Sequence, residues 1–370
     1  MHRFAPLSGA LGWRLLAAVA GLLMIGHAAA AAAAAAAPAA GLAFSHHDWE
    51  IACDNTRTCR AAGYHPDDRE AHAMSVLLTR KAGAQQPVRA QLQLGDAAEE
   101  PAVAQLRPNA KLQLRIDGKP QGTLALGKDG VSAEMPAQQV NALLNALKGN
   151  GRIVWSSGEF EWELSGKGAA AVLLKMDEFQ GRLGTPGALM RKGSASEAQV
   201  LPALAVPVLN VPFTAQQQAT TVNLSAAQQA ILVGELLKPE WKEECDMEAE
   251  LGSSSRPLRI VRLSESKLLV SAPCWLAAYN FGEGYWVIDT QAPFNPVLVT
   301  TSGNEYMGGI VGASHRGRGL GDCWSHEEWA WDGQQFHATL KRTTGMCRMV
   351  ALGGPWELPT LVTDVRHRAK

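Results

Sequence analysis

The chain has little excess charge of either sign. Its 370 residues contain 34 basic and 35 acidic side chains, for a formal net charge of −1. Without residues 1–37, which hold Arg3 and Arg14 but no acidic residue, the formal charge is −3. A chain without a basic field does not attract phosphate backbones, so we expect no nucleic-acid partner.

Apolar runs long enough for a membrane are also scarce. The first 37 residues have a basic start, an apolar run from Leu15 to Ile25 and an alanine tract from Ala28 to Ala37. A span needs roughly 20 apolar residues, whereas this pattern is typical of a secretory signal peptide, with cleavage expected within residues 28–37. An uncleaved anchor is the alternative, because the alanine tract lengthens the apolar stretch. We therefore expect a periplasmic protein whose mature chain has no membrane span.

Familiar catalytic and nucleotide-binding signatures are missing or incomplete. Neither Gly-x-Ser-x-Gly nor His-Glu-x-x-His occurs. Ser264 and Lys267 have the Ser-x-x-Lys spacing of penicillin-interacting enzymes, but the companion Lys-Thr-Gly is absent. The sequence therefore favours a protein that is not an enzyme and has no cofactor.

Cysteine is present in an even number and in local pairs. The pairs are Cys53/Cys59, Cys245/Cys274 and Cys323/Cys347. In an exported chain this spacing predicts three disulfides. Zinc binding by the first pair with His46 and His47 is an alternative, but five intervening residues exceed the usual two to four, and a redox site would need Cys-x-x-Cys.

Alternation of apolar and polar residues predicts a mainly β (α+β) fold with antiparallel, sandwich-like sheets. The clearest strands are residues 75–79, 90–94, 111–117, 152–155 and 159–164. Two helices are expected after Pro136 and over residues 167–180, and a third is capped by Ser225.

The distribution of proline suggests two domains. Residues 193–223 contain Pro202, Pro207 and Pro212 and are rich in Ala, Gln, Ser and Thr, which is typical of a linker. We therefore predict a first β-rich domain over residues 44–192 and a second over residues 224–370.

A hairpin near the C-terminus carries potential metal ligands. Asp332-Gly333 is a strong two-residue turn signal. That turn would pair Trp329 with Phe336 and place Glu328 directly opposite His337, with His326 on the same face. Two imidazoles and a carboxylate can bind a metal, but exposed polar faces are common in antiparallel sheets, and no third histidine completes a zinc site.

An aromatic group offers a second candidate site. It contains Trp275, Tyr279, Tyr285 and Trp286, with Phe281 between them. Such rings can stack on the sugars of peptidoglycan or another glycan, but the large area that they bury favours packing in a core beside Cys274.

Several motifs along the mature chain resemble one bacterial exported family. They are His47-Asp48-Trp49, Cys53-Asp54-Asn55-Thr56-Arg57-Thr58-Cys59-Arg60-Ala61, Gly63-Tyr64, Gly187-Ala188-Leu189, Arg191-Lys192-Gly193, Ala278-Tyr279-Asn280, Gly319-Leu320-Gly321-Asp322-Cys323, Trp331-Asp332-Gly333 with Phe336, and Cys347-Arg348. The family is domain of unknown function eleven-seventy-six. At Ala277 and Trp324 the chain departs from a pattern that has glycine. The first half also resembles invasion-associated locus B proteins.

The resemblance implies an exported location and disulfides, but no activity. Together with the residues, it favours a non-catalytic envelope protein that binds another protein or has a structural role. A glycan-binding module is the first alternative, and a metal-dependent hydrolase is the second.

Overall fold

The computed structural model describes residues 41–67, 72–95, 101–106, 110–212, 221–238, 245 and 257–367. The expected signal peptide and residues 213–220 of the expected linker lie outside these ranges. The described chain is mainly β, with antiparallel sheets and three helices of ten or eleven residues. The predicted fold class is therefore confirmed. Within the described ranges, every helix is too short or too polar to cross a bilayer.

The first half contains two antiparallel sheets. One has six strands in the order β1-β2-β3-β4-β5-β8, and the other has four in the order β10-β9-β6-β7. Their bounds are β1 (Leu42–His46), β2 (Trp49–Cys53), β3 (Cys59–Tyr64), β4 (Met74–Arg80), β5 (Val88–Leu94), β6 (Lys111–Ile116), β7 (Lys119–Ala125), β8 (Ser132–Glu134), β9 (Ile153–Ser157) and β10 (Phe160–Leu164). The five strands predicted from alternation are all present, with ends shifted by one or two residues.

The predicted helices are also present. The helices are α1 (Pro101–Ala104), α2 (Ala137–Ala146), α3 (Ala169–Phe179) and α4 (Ala226–Leu236). Helix α2 follows Pro136 directly. Helix α4 begins at Ser225, whose hydroxyl accepts the Gln228 amide while the Gln228 side chain bonds the Ser225 amide. This capping box satisfies two amides that the first helical turn leaves unpaired.

In the second half, the described elements from residue 257 onward are strands. Two antiparallel sheets have the orders β12-β13-β14-β15 and β16-β17-β18-β19-β20, and β11 pairs in parallel with β21. Their bounds are β11 (Val208–Val211), β12 (Arg259–Arg262), β13 (Lys267–Leu276), β14 (Phe281–Asp289), β15 (Val297–Gly303), β16 (Glu305–Met307), β17 (Ile310–Arg316), β18 (Trp324–Trp331), β19 (Phe336–Thr343), β20 (Leu358–Leu361) and β21 (Asp364–His367).

The sheet β12–β15 is covered on both faces. Tyr285 of β14 packs in a core with Val311 and Trp331 of the neighbouring sheet. The next residue, Trp286, packs in another core with Leu232 of α4. The second half is therefore layered as helix, sheet and sheet.

The first six-stranded sheet meets the C-terminal segment across a shared core. Ala52, Tyr64 and Leu77 of the sheet pack with Val350 and Leu358. The other face of the same sheet belongs to the large core of the first half, which includes α2 and α3. The division into two domains at residues 193–223 stays a prediction.

Polar contacts reinforce this junction. Arg348 Nη2 lies 2.6 Å from Asp48 Oδ1, and the Met346 amide donates to Glu50 Oε1 at 2.6 Å. Tyr64 Oη also donates to Glu50 Oε1, at 2.6 Å. Burial raises the pKa of Glu50, although the bonds from Tyr64 and Met346 oppose that shift. Because these groups are largely enclosed, their hydrogen bonds hold the two halves in one arrangement.

Candidate functional site

The register predicted for the potential metal ligands is wrong. The structure places Glu328 opposite Leu340, and His337 lies opposite Ala330. Trp331, not Trp329, is the partner of Phe336.

The turn explains the change of register. Four residues, 332–335, connect β18 to β19. The Asp332 amide donates to the Gln335 carbonyl at 3.1 Å, and this bond closes the loop. The Asp332 carboxylate accepts the amides of Gln334 and Gln335 at 2.6 and 2.8 Å. Its other oxygen lies 2.7 Å from His337 Nε2. An aspartate that caps its own turn in this way favours the longer loop over the two-residue turn.

The three candidate ligands have separate surroundings. His326 Nδ1 lies 2.9 Å from Ser314 Oγ, and burial lowers the pKa of this histidine. Burial raises the pKa of Glu328. Among the described residues, the group of three metal-ligating side chains within 4.8 Å of one another is Asp322, Cys323 and Cys347. Its two sulfur atoms form a disulfide and so are not available as thiolate ligands.

The cysteines form the three local pairs that their spacing predicts. The disulfides are Cys53–Cys59, Cys245–Cys274 and Cys323–Cys347. Among the described residues there is no free cysteine.

The predicted aromatic group is divided between core and surface. Tyr285 and Trp286 are 1% and 2% exposed, so neither ring can stack on a glycan. Trp275 is partly buried against His315, with ring centroids 5.2 Å apart. Tyr279 is 46% exposed and belongs to the surface.

Exposed apolar side chains lie at the β13–β14 hairpin tip, which holds this tyrosine, and on two adjoining loops. We define the loop patch as Leu276, Tyr279, Phe281, Leu320, Met349 and Leu352, which are between 42% and 77% exposed. Single exposed apolar residues are common, whereas an apolar group on adjoining loops marks an interaction surface.

Backbone and side-chain bonds join the hairpin tip to the first of these loops. Asn280 donates through Nδ2 to the Arg316 carbonyl and accepts the Arg316 amide at Oδ1, both at 2.9 Å. This side chain therefore continues the hydrogen-bond pattern of a strand. Gly319 lies against the ring of Tyr279, where an added Cβ would be 3.6 Å from it.

The other loop is joined to the first by an aspartate and a disulfide. Asp322 accepts both Arg318 Nε, at 2.7 Å, and the Met349 amide, also at 2.7 Å. The Gly353 amide bonds the Gly321 carbonyl at 2.8 Å. Burial alone would raise the pKa of Asp322, but the bonds from Arg318 and Met349 outweigh it and lower that pKa. The carboxylate is thus held ionised at neutral pH.

A basic side chain borders the patch. Arg316 is exposed, and its guanidinium lies 5.2 Å from the ring centroid of Trp324. Stacking on an indole face orients the cation while leaving its edge open to solvent.

The sequence prediction included Tyr279 but missed the aliphatic members of the patch. No periodic pattern of apolar and polar residues predicts that Leu276, Leu320 and Leu352 are exposed. The available signal was the set of family motifs, since Ala278-Tyr279-Asn280 and Gly319-Leu320-Gly321-Asp322-Cys323 meet at this place.

A cavity elsewhere in the chain does not extend this site. It has a volume of about 740 Å³ and lies in the first half, beside Arg152, Glu161 and Glu163. Arg152 pairs with Glu163 at 2.8 Å and with Glu161 at 3.1 Å, and all three side chains are exposed. The positive and negative side chains pair with one another, as is usual on a solvated surface.

The fold defines the class of this chain, a β-rich protein with disulfides, and comparison with known proteins gives its family. The family model described as "Protein of unknown function (DUF1176)" matches residues 43–363, and the chain belongs to this family. It is 26% identical over 340 residues to "Uncharacterized protein YpfG" of Escherichia coli strain K12, covering 85% of this chain and 90% of that protein.

A solved structure was also matched. It is invasion associated protein B from Bartonella henselae, with 12% identity and a TM-score of 0.26, covering 38% of this chain and 99% of that one.

Proposed function

We propose that this chain is a non-catalytic protein of the periplasm that binds another protein through the loop patch. The observation that carries the proposal is the exposure of six apolar side chains on a hairpin tip and two loops that are joined by internal bonds. Fixed loops lose little conformational entropy when a partner covers them. A larger part of the free energy gained by burying apolar surface therefore contributes to the affinity.

The composition of the patch favours a protein partner. Leu276, Leu320, Leu352 and Met349 are not aromatic, and side chains of this kind fill apolar pockets on proteins. Arg316 at the border favours a partner with a carboxylate next to its apolar surface.

The location is supported by two features. Three disulfides are typical of oxidising compartments outside the cytoplasm. The N-terminal residues have the pattern of a secretory signal.

Glycan binding is the second candidate because Tyr279 and Phe281 are 46% and 47% exposed. Exposed rings of this kind can stack on sugar faces. The glycan would contact these two rings and the partly buried Trp275, but not Tyr285 or Trp286.

The test is photo-crosslinking in intact cells from a photoreactive residue at position 320, within the patch. We expect one discrete adduct, absent when the photoreactive residue stands at Val297, which is 62% exposed outside the patch. The purified partner should bind the Leu276→Ser variant about tenfold more weakly, the effect of losing one buried apolar anchor. Val297→Ser should bind normally.

Two results would contradict protein binding. One is the absence of any adduct from positions 320 and 352. The other is retention on isolated peptidoglycan that Tyr279→Ala and Phe281→Ala abolish while Leu276→Ser leaves it unchanged, which would favour the glycan.

A further inference from the structure

A second cavity lies in the first half, away from the loop patch. It has a volume of about 460 Å³ and is enclosed by the ends of β4 and β5, helix α2 and the loop of residues 186–192. Cavities that bind small molecules usually measure roughly 300–1,000 Å³. Its size therefore suits a small ligand.

The cavity is lined by cations and amides. Arg80, Lys148 and Lys192 supply positive charge from a strand, the turn after α2 and a loop. Gln86, Asn141 and Asn145 add amide groups, and none of the described lining residues is acidic. In a chain whose net charge is −1, a cavity surrounded in this way is a local site of positive potential.

The buried arginine is incompletely neutralised. Arg80 is 5% exposed, and its Nε donates to the Gln86 carbonyl at 3.0 Å. Its Nη1 makes no hydrogen bond, and the Asp177 carboxylate lies 3.7 Å away. Asp177 is already bonded to the amides of Leu189 and Met190, at 2.7 to 2.9 Å.

A second buried arginine adds to the positive charge. Arg182 is fully buried and donates to the carbonyls of Lys81 and Gly83, at 3.2 and 2.6 Å. Burial and the charge of Arg182 lower the pKa of Arg80 to about 10, so both guanidinium groups are still charged at neutral pH. Asp177 and Glu197, whose carboxylate lies 4.0 Å from Arg182 Nη1, balance part of this charge. Together with Lys148 and Lys192, the two arginines still outnumber these two carboxylates, which favours the binding of anions.

The arrangement of these groups suits a ligand with more than one acidic group. The lysines stand on different elements, so two negative groups can each meet a cation. The amides of Asn141 and Gln86 can donate to the remaining oxygens.

We infer that this cavity binds a small polyanion, a molecule that carries two or more phosphate or carboxylate groups. The inference is independent of the protein-binding function proposed for the loop patch, because the two sites share no residue.

The test is calorimetric titration of the full mature protein with pyrophosphate and, separately, citrate. Ionic strength is kept constant with chloride. We expect saturable binding of one anion per chain by at least one probe. Binding of pyrophosphate but not citrate would support a phosphorylated ligand. Binding of citrate but not pyrophosphate would support a carboxylate ligand.

Variants of exposed residues make the test specific. Lys148→Gln with Lys192→Gln should weaken binding about tenfold, since each removes a cation worth up to about fivefold. Asn141→Asp should weaken it as well, by adding a negative charge. Lys128→Gln, an exposed lysine outside the cavity, should bind as the unmodified protein does.

Three outcomes would overturn the inference. The first is that neither probe binds saturably. The second is an affinity of the double lysine variant within about twofold of the unmodified protein, well short of the charge effect expected. The third is equal weakening by Lys128→Gln, which would indicate an effect of overall charge.

Discussion

His65 is kept neutral by its surroundings. The residue is 8% exposed, and its Nδ1 lies 3.2 Å from both the amide nitrogen and the carbonyl oxygen of Met74. Burial lowers the pKa of this histidine, and the nearby charge of Arg348 lowers it further. When Nδ1 carries no proton it can accept the Met74 amide, and protonation of that nitrogen removes this bond.

His65 should make stability depend on pH. Because its pKa is lowered on folding, its contribution is present above the ordinary value of about 6.5 and is lost as pH falls through the folded pKa. We expect the free energy of unfolding to decrease between pH 7 and 5, by at most about 1.4 kcal/mol per pH unit from this group.

Urea unfolding at several pH values measures this effect. His65→Asn, which keeps a hydrogen-bond acceptor, should flatten the dependence on pH. His367→Asn, at an exposed position of β21, should leave it unchanged. An equally steep dependence in His65→Asn would assign the effect to other groups.

At the scale of elements, local pattern identified the strands and helices. Alternation and capping depend on residues close in sequence, which is why Ser225 and Pro136 mark helix starts correctly. The register of β18 and β19 depended instead on how Asp332 bonds its own turn. The sequence Asp332-Gly333 alone does not reveal that choice.

The burial of the adjacent residues Tyr285 and Trp286 could not be predicted from the local sequence pattern either. Tyr285 and Trp286 point to opposite faces of one sheet, and both faces are covered. Alternation reports exposure only when one face is open to solvent. The layers above and below come from distant parts of the chain, so the sequence left both a core role and a surface role open for these rings.

The disulfides should contribute different amounts to the free energy of unfolding. Cys323–Cys347 spans 24 residues and Cys53–Cys59 spans 6. Loop-closure entropy gives about 3.5 kcal/mol for the longer and about 2.4 kcal/mol for the shorter. We expect urea unfolding to show a larger loss for C323S/C347S than for C53S/C59S.

The longer disulfide also anchors the loop that carries Met349 and Leu352. Crosslinking from position 352 should therefore weaken in C323S/C347S but not in C53S/C59S. Equal stability losses, or unchanged crosslinking, would show that hydrogen bonds such as Asp322 to Met349 hold this loop without the disulfide.

At the scale of the molecule, the two halves share buried contacts. Asp48 Oδ2 accepts Ser165 Oγ at 2.6 Å, while its Oδ1 is paired with Arg348 at 2.6 Å. Ala62 and Tyr64 pack with Val350 nearby. Because the contacts are both apolar and charged, separating the halves exposes apolar surface and leaves charges unpaired.

The shared contacts should make unfolding a single transition. Buried tryptophans in both halves, such as Trp49 and Trp331, report on it through fluorescence. We expect fluorescence and far-ultraviolet circular dichroism to give the same urea midpoint. Two separate midpoints would contradict this expectation.

Urea unfolding also tests the ion pair between Asp48 and Arg348. Arg348→Met should reduce the free energy of unfolding by about 3 kcal/mol, because Asp48 is left buried without its cation. Adding Asp48→Asn should restore part of that loss, since the uncompensated charge is removed while the bond to Ser165 is kept. Additive losses would show that the pair is not coupled.

The parallel pairing of β11 with β21 has a consequence for how the chain matures. Among the described strands, Val208 to Val211 pair with Asp364 to His367, which are synthesised much later. Until then, β11 presents an open edge to any extended peptide nearby. A truncation before Asp364, or an insertion that displaces this strand, should therefore leave an aggregation-prone product.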